Sequence, residues 1–308
     1  MAKKSLEQIL FIAIDKIFNK PQNGFKLDLT GIDVEYDVQY DNEIISSGKL
    51  DIYTPVGREG KLPVMMYIHG GGFVAGDKHY RRYWCAQFAK MGYVVLNVNY
   101  AMSPDYELHH SICQTVKAVS WIESVAEQRN WDLGLFIISG DSAGGYLASE
   151  TACIVNNPEM HKVFDYKGCA KITNAILICG LYDLQTLLEK DMKGIDLNSR
   201  LCYALTKKDI DTIGEYEYYD YILPIKWVNE KFPDSFLVYA EKDVFCAGQG
   251  EIMEKKIREC GKDVKVFASH TFFDNHCFNL NYGFKNSKKC NKQIYAYAEE
   301  LLKARKAK

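Results

Sequence analysis

The pentad Gly140-Asp141-Ser142-Ala143-Gly144 has the G-x-S-x-G spacing of a nucleophile elbow, a serine on a sharp turn between a strand and a helix. The buried-strand run "LFIISGD" leads into it and the helical run from Ala143 to Asn156 follows. Small residues on both sides let the chain pass close to itself, and the helix start aims N–H groups at developing negative charge. A serine hydroxyl is a weak nucleophile, so it needs a base, and the base needs an acid to orient it. The elbow architecture orders these as serine, acid, histidine along the chain. Asp243 ends the run "SFLVYAEKD", and His276 lies in the loop after the last strand run "DVKVFASH". Both fall beyond carboxyl ends of strands, where open α/β sheets collect their sites. Ser142, Asp243 and His276 are therefore the expected nucleophile, acid and base. Glu241 is the alternative acid and His270, at the strand edge, the alternative base. Asp183, at the end of the preceding strand in "GLYDL", is a weaker candidate acid and better suits a cap or hydrogen-bonding role at a strand end. His109 and His110 precede Ser142 and read as packing or surface residues at a helix start. Cys277 has no elbow of its own and reads as a small buried hydrophobe.

Three consecutive glycines, Gly70, Gly71 and Gly72, follow His69 and the strand run "LPVMMYI". Glycine loses more backbone freedom on folding than any other residue, so such a run implies a need for bare backbone. Attack on an ester carbonyl creates a tetrahedral oxyanion. N–H groups turned toward it stabilise it, and losing one such donor costs about 10²–10³ in rate. The loop after the first buried strand is where the elbow architecture places a second donor. Rival chemistries lack their signatures. There is no G-x-x-x-x-G-K-[ST] phosphate loop, no G-x-G-x-x-G fingerprint and no C-x-x-C pair. No cofactor and no metal is expected.

The elements that must position these residues follow from periodicity. "GIDVEYDVQY" and "GKLDIYTP" alternate apolar and polar residues and read as an antiparallel pair at a sheet edge. "LPVMMYIH", "YVVLNVNY", "LFIISGD", "NAILICGLYD", "SFLVYAEKD" and "DVKVFASH" are near-continuous apolar runs, as in parallel strands covered on both faces. Helical segments at 80–90, 109–128, 143–156 and 248–260 separate most of them, so the class is α/β with a doubly covered sheet. The interval 184–226 breaks the rhythm, and a structureless loop of that length does not suit a compact domain. It reads as inserted helices, forming a lid with the N-terminal amphipathic helix. The expected division is a catalytic domain over 26–183 and 227–308 and a cap over 1–25 and 184–226. The basic C-terminal stretch reads as a final amphipathic helix with a solvated end.

Composition narrows the partners. Charged residues are 25% of the chain and nearly balanced, Lys plus Arg 38 against Asp plus Glu 40, which gives nucleic acid no basic footprint. Ten cysteines in 308 residues are too sparse for a disulfide scaffold and read as reduced thiols in a cytoplasmic protein. Acidic Glu7 and Asp15 bracket the short apolar N-terminal run, and no small-residue cleavage site follows, so the start does not read as a signal peptide. No run reaches the roughly 20 apolar residues needed to cross a bilayer. The expected partner is a small-molecule ester, with no nucleic acid and no stable membrane insertion; a homodimer is allowed.

"HGGGF" at 69–73 and "GDSAGG" at 140–145 together resemble the paired signatures of the hormone-sensitive-lipase-like branch of α/β-hydrolases. "NYAMSPDYELHHSICQTVKAVSWI" is similar to that branch's segment between the two motifs, and the resemblance covers roughly 45–183 and 227–306. It implies an α/β-hydrolase fold, a mostly parallel sheet covered by helices on both faces, with a helical cap. It implies Ser142 as nucleophile, His276 as general base and acid, and Asp243 as orienting acid. It implies an oxyanion hole of the Gly71, Gly72 and Ala143 N–H groups, supported by His69, Gly70 and Asp141, with His69 a brace rather than a proton carrier. Gly70 would act through its conformation. Two departures stand out. The branch often carries a second acid shortly after the catalytic Asp, where this chain reads "DVFCAGQG", and a glycine after the catalytic His, where it has Cys277. Both reshape the pocket floor without removing a catalytic group.

The expected function is a serine hydrolase cleaving carboxylic esters, of short to medium acyl chain or acetyl, through an acyl-enzyme. An amidase, deacetylase or peptidase with the same triad is the alternative, and a silent small-molecule receptor on the same fold is a third reading. Tyr216, Tyr218, Tyr219 and Tyr221 would either line the pocket or form an exposed aromatic cluster on the cap.

Overall fold

In the computed structural model, residues 25–185 and 197–307 are described, together with 9, 10, 12 and 13. The expected N-terminal share of the lid and residues 186–196 of the insertion lie largely or wholly outside them. The four described N-terminal residues are helical.

Eight strands form one sheet in the order β1-β2-β4-β3-β5-β6-β7-β8. They are β1 (Ile32–Gln39), β2 (Lys49–Pro55), β3 (Leu62–Ile68), β4 (Val94–Val98), β5 (Trp131–Asp141), β6 (Asn174–Ile178), β7 (Asp234–Ala240) and β8 (Val264–Ser269). β1 and β2 pair antiparallel at one edge and β2 meets β4 antiparallel. Every other pairing is parallel. Mostly parallel pairing requires crossovers, and helices supply them. The longer helices are α1 (Arg82–Met91), α2 (Leu108–Ala126), α3 (Ala143–Asn156), α4 (Leu197–Thr206), α5 (Gln249–Glu259) and α6 (Lys285–Lys306). α4 belongs to the insertion, and α6 follows β8 and packs on the sheet rather than crossing between strands.

Strand side chains alternate faces, so one continuous apolar run feeds two cores. Val64, Met66 and Ile68 of β3 pack with Ile112 and Val116 of α2, Leu147 of α3 and Met253 of α5. Met65 and Tyr67 face the other way, to Trp84 and Phe88 of α1 and Ile294 and Tyr297 of α6. The same alternation holds on β6, with Ala175 and Leu177 on one side and Ile176 and Ile178 on the other. Double coverage explains why these strands read as solid apolar runs. β1, at the edge, is largely exposed and does alternate.

The described part of the insertion is helical in short pieces. After α4 come 3₁₀ turns at Ile210–Glu215 and Tyr219–Tyr221 and a helical turn at Pro224–Trp227. It is fastened over α2 and α3. Tyr146 of α3 donates from its hydroxyl to the Ile222 carbonyl at 2.8 Å, and Tyr218 stacks on His109 with ring centres 4.4 Å apart.

Candidate active site

The parallel pairing carries the carboxyl ends of β3, β5, β6, β7 and β8 to one rim of the sheet. Ser142 follows β5 directly. Its backbone has φ 54° and ψ −123°, outside the ordinary regions for a residue with a side chain, which stores strain of order 1–3 kcal/mol. The Ser142 N–H donates to the Ile178 carbonyl of β6 at 2.8 Å and holds the turn against its neighbour strand.

His276 comes from the loop after β8 and Asp243 from the turn after β7. His276 Nε2 lies 2.8 Å from Ser142 Oγ. His276 Nδ1 lies 2.9 Å from Asp243 Oδ2 and 3.0 Å from Oδ1. One tautomer satisfies the chain: Nδ1–H donates to Asp243 and Nε2 accepts from the serine O–H. Asp243 Oδ1 also accepts the N–H groups of Phe245 and Cys246, at 2.9 and 2.8 Å. Burial pushes this carboxyl up, but the His276 charge and hydrogen bond and the two backbone donors outweigh it, leaving it below its ordinary value. Phe245 packs its ring 5.1 Å from the imidazole at 74°.

The alternatives stay apart from Ser142's hydrogen-bond chain. His270 Nδ1 lies 3.4 Å from Glu241 Oε2, so the second base and second acid pair with each other in solvent. Asp183 is tied through its backbone to Gln249, which accepts its N–H at 2.7 Å and donates to its carbonyl at 3.1 Å. His109 and His110 start α2 with ring centres 3.8 Å apart, and His109 Nδ1 lies 2.8 Å from the Tyr216 hydroxyl. Burial, then His110, lowers the His109 pKa to about 4, so it packs as a neutral ring.

The glycine loop sits against the elbow. Gly71 has φ 136°, and a Cβ there would lie 1.9 Å from the Ala75 carbonyl oxygen. That carbonyl side of the loop closes back through Ala75 N–H on Gly71 O at 3.0 Å. Gly70 has no positive φ; a side chain is barred because its Cβ would lie 2.6 Å from Asp141 Oδ2 and 3.0 Å from Ser142 Cβ. Its requirement is space, not the special conformation expected. The N–H groups of Gly71, Gly72 and Ala143 donate to no acceptor among the described residues. His69 Nδ1 lies 2.7 Å from the Gly70 carbonyl and its ring stacks on Tyr100 at 4.6 Å. Burial lowers its pKa and keeps it neutral.

Asp141 is buried beneath the elbow in a fork with Arg81. Arg81 Nε donates to Oδ1 at 2.8 Å and Nη2 to Oδ2 at 2.6 Å, while the Tyr67 hydroxyl donates to Oδ1 at 2.8 Å. Burial raises this carboxyl, and the Arg81 charge and bonds more than reverse it. Sequence reasoning missed Arg81 and Tyr67, and also Asn275. Asn275 Oδ1 accepts the Val244 N–H at 3.0 Å and the His276 N–H at 2.7 Å, stitching the Asp243 turn to the His276 loop. No local pattern marks contacts made across 60, 74 and 31 positions.

Cys277 differs from its expected role. It is half-buried and has φ 50°, the left-handed conformation that glycine adopts without cost. All ten cysteines are free thiols, most of them buried, with Cys169 exposed. Of the four cap tyrosines, Tyr219 lines a cavity of about 270 Å³ with Leu184, Gln185, Ile210, Asp211, Ile213 and Leu223. Tyr216 and Tyr218 pack on His109, and Tyr221 stacks on Trp227 at 5.6 Å.

A family model described as BD-FAE matches residues 50–257. A probable carboxylic ester hydrolase of Mycobacterium tuberculosis, LipM, is 25% identical over 72% of this chain and 50% of its own length. The chain thus spans about half the length of this curated relative. Esterase B of Lactobacillus rhamnosis, in a structure inhibited by a C6-C4 SN3 compound, superposes with a TM-score of 0.82 at 22% identity, over 97% of this chain and 96% of that one. The same esterase inhibited by a C4-C4 SN3 tributyrin phosphonate gives a TM-score of 0.80 at 21% identity, over 97% and 95%. These neighbours share the α/β-hydrolase fold.

Proposed function

The chain belongs to the BD-FAE family of α/β-hydrolase esterases, and from that premise we propose that it hydrolyses carboxylic esters through an acyl-enzyme. The observation that carries the reading is the unbroken hydrogen-bond chain from Ser142 through His276 to Asp243, set under a strained elbow. His276 takes the serine proton as Oγ attacks the ester carbonyl. The carbonyl π electrons move onto oxygen, and the Gly71, Gly72 and Ala143 N–H groups, otherwise unpartnered among the described residues, stabilise that charge. His276 then gives its proton to the leaving alcohol as the C–O bond breaks. Water repeats the sequence on the acyl-enzyme and releases the acid. Asp243 holds the imidazole in the productive tautomer and stabilises its cation.

An acyl group of short to medium length is the matching substrate reading. It is supported by the esterase B complex with a tributyrin phosphonate. Ser142→Ala removes the nucleophile, and turnover of p-nitrophenyl butyrate should fall by about 10⁴-fold or more with the circular dichroism spectrum unchanged. Turnover retained in the folded variant would overturn the assignment. Comparing acetate, butyrate and decanoate esters tests the chain length, with decanoate expected to be the poorest.

A further inference from the structure

Three thiols crowd the Asp243–His276 pair. Cys179 Sγ, Cys277 Sγ and a ring nitrogen of His276 all lie within 4.8 Å of one another. Cys246 Sγ is grouped as closely with His276 and Asp243. Cys179 and Cys277 share an unusual backbone, with φ 45° and 50°. Few residues with side chains sit in that region, and here both are cysteines whose thiols meet. Cys179 is buried and Cys277 is half-buried.

We propose that Cys179, Cys277 and His276 form an inhibitory site for a soft divalent cation, zinc or cadmium. Two sulfurs and an imidazole are a donor set that such ions select over oxygen-binding cations. Zinc at about 2.3 Å from sulfur and 2.0–2.1 Å from nitrogen would place tetrahedral donors roughly 3.5–3.8 Å apart. The three donors need to draw in by about 1.0–1.3 Å at most from their present limit, and the larger cadmium ion meets them with less movement. The buried Asp243 carboxylate beside them contributes negative charge. Binding releases two thiol protons to solvent, forms two metal–sulfur bonds and one metal–nitrogen bond, and moves no electrons.

The ion and the esterase chemistry exclude each other. His276 has one nitrogen on Ser142 and the other on Asp243. An ion on either nitrogen breaks one of those two bonds. This inhibitory half rests on His276 serving as the base; metal binding itself does not.

The test titrates the purified protein with cadmium chloride and reads thiolate-to-cadmium absorbance in the ultraviolet alongside ester turnover. Cys169, an exposed thiol 2.9 Å from Glu123, is replaced by serine in every sample so that it does not contribute. One equivalent of cadmium should produce the absorbance and a loss of turnover that a chelator reverses. Cys179→Gly and Cys277→Gly suit the left-handed backbone, so both should fold. Each should raise the half-inhibiting concentration at least tenfold relative to its own uninhibited rate, and the pair together should abolish the absorbance. Zinc should inhibit with the same order among variants. No thiolate absorbance in the parent protein, or unchanged absorbance and inhibition in the double variant, would overturn the proposal. Because the absorbance needs no turnover, a protein without esterase activity would still be decided by that arm.

Discussion

Glu150 shows what a single buried side chain does to the pH profile. It lies in α3, fully buried, and neither carboxylate oxygen has a hydrogen-bond partner among the described residues. Burial raises its pKa well above 4.5, so the folded protein holds the proton where the unfolded chain has lost it. Stability is therefore complete below the unfolded value and falls as pH rises toward the folded one, by up to about 1.4 kcal/mol per pH unit. Glu150→Gln removes the titration and keeps the shape. Its denaturation midpoint should match the parent near pH 4.5 and exceed it at pH 8, as urea unfolding at the two pH values would read. Residue identities were unequally legible. Ser142 is spelled by its immediate neighbours, and Asp243 and His276 are reached by strand order. Nothing near Glu150 marks it as buried, since helix position alone places a glutamate equally well in solvent, and Arg81 depends on a partner 60 positions away.

Among the elements, the glycine loop and the elbow constrain each other more tightly than either motif suggests. A Cβ on Gly144 would lie 2.1 Å from the Ile68 carbonyl of β3, so the strand bearing the loop and the helix bearing the elbow touch backbone to backbone. Gly71→Ala must move the Ala75 carbonyl and adopt an unfavourable φ at once. The variant should lose about 10²–10³ in kcat for p-nitrophenyl butyrate, the effect of losing one oxyanion donor, while Ser142 still labels with a fluorophosphonate. The strands were legible because double burial writes continuous apolar runs. The inserted segment was legible only as a departure from that rhythm. Its short helical turns pack through aromatic rings and scattered aliphatic side chains such as Ile222 and Leu223 rather than a repeating apolar stripe, so no period announces them.

On the scale of the molecule, the Arg81–Asp141 fork joins the segment after the glycine loop to the strand that leads into the Ser142 turn. Both side chains are about 95% or more buried. Removing one partner of a buried pair costs about 3–5 kcal/mol because the other charge is left without compensation. Arg81→Met should lower stability by that amount at pH 7. The sign of its pH dependence should also reverse at this site. In the parent the Asp141 carboxyl lies below its ordinary value, so its stabilisation is present above about pH 4 and is lost as pH falls through the folded value. Without the guanidinium, burial dominates and raises it, so the variant should gain stability as pH drops from 7 to 5. Thermal midpoints across that range would show it, and parallel curves would contradict the role. The α/β class and the antiparallel edge were legible from periodicity. The strand order was not, because pairing partners are chosen by crossovers that leave no mark in any one strand.

The proposed triad draws on the ends of β5, β7 and β8, and that spacing along the chain has a temporal consequence. Ser142 precedes His276 by 134 residues. At ribosomal rates of about 5–20 residues per second, roughly 7–27 seconds separate the synthesis of the nucleophile from that of its base. During that interval β6, β7 and β8 are still being made. The Ile178 carbonyl that pins the serine turn arrives early, and the histidine that would activate it arrives only after β8. On the proposed mechanism a nascent chain therefore carries an unactivated serine until the sheet's far edge is in place.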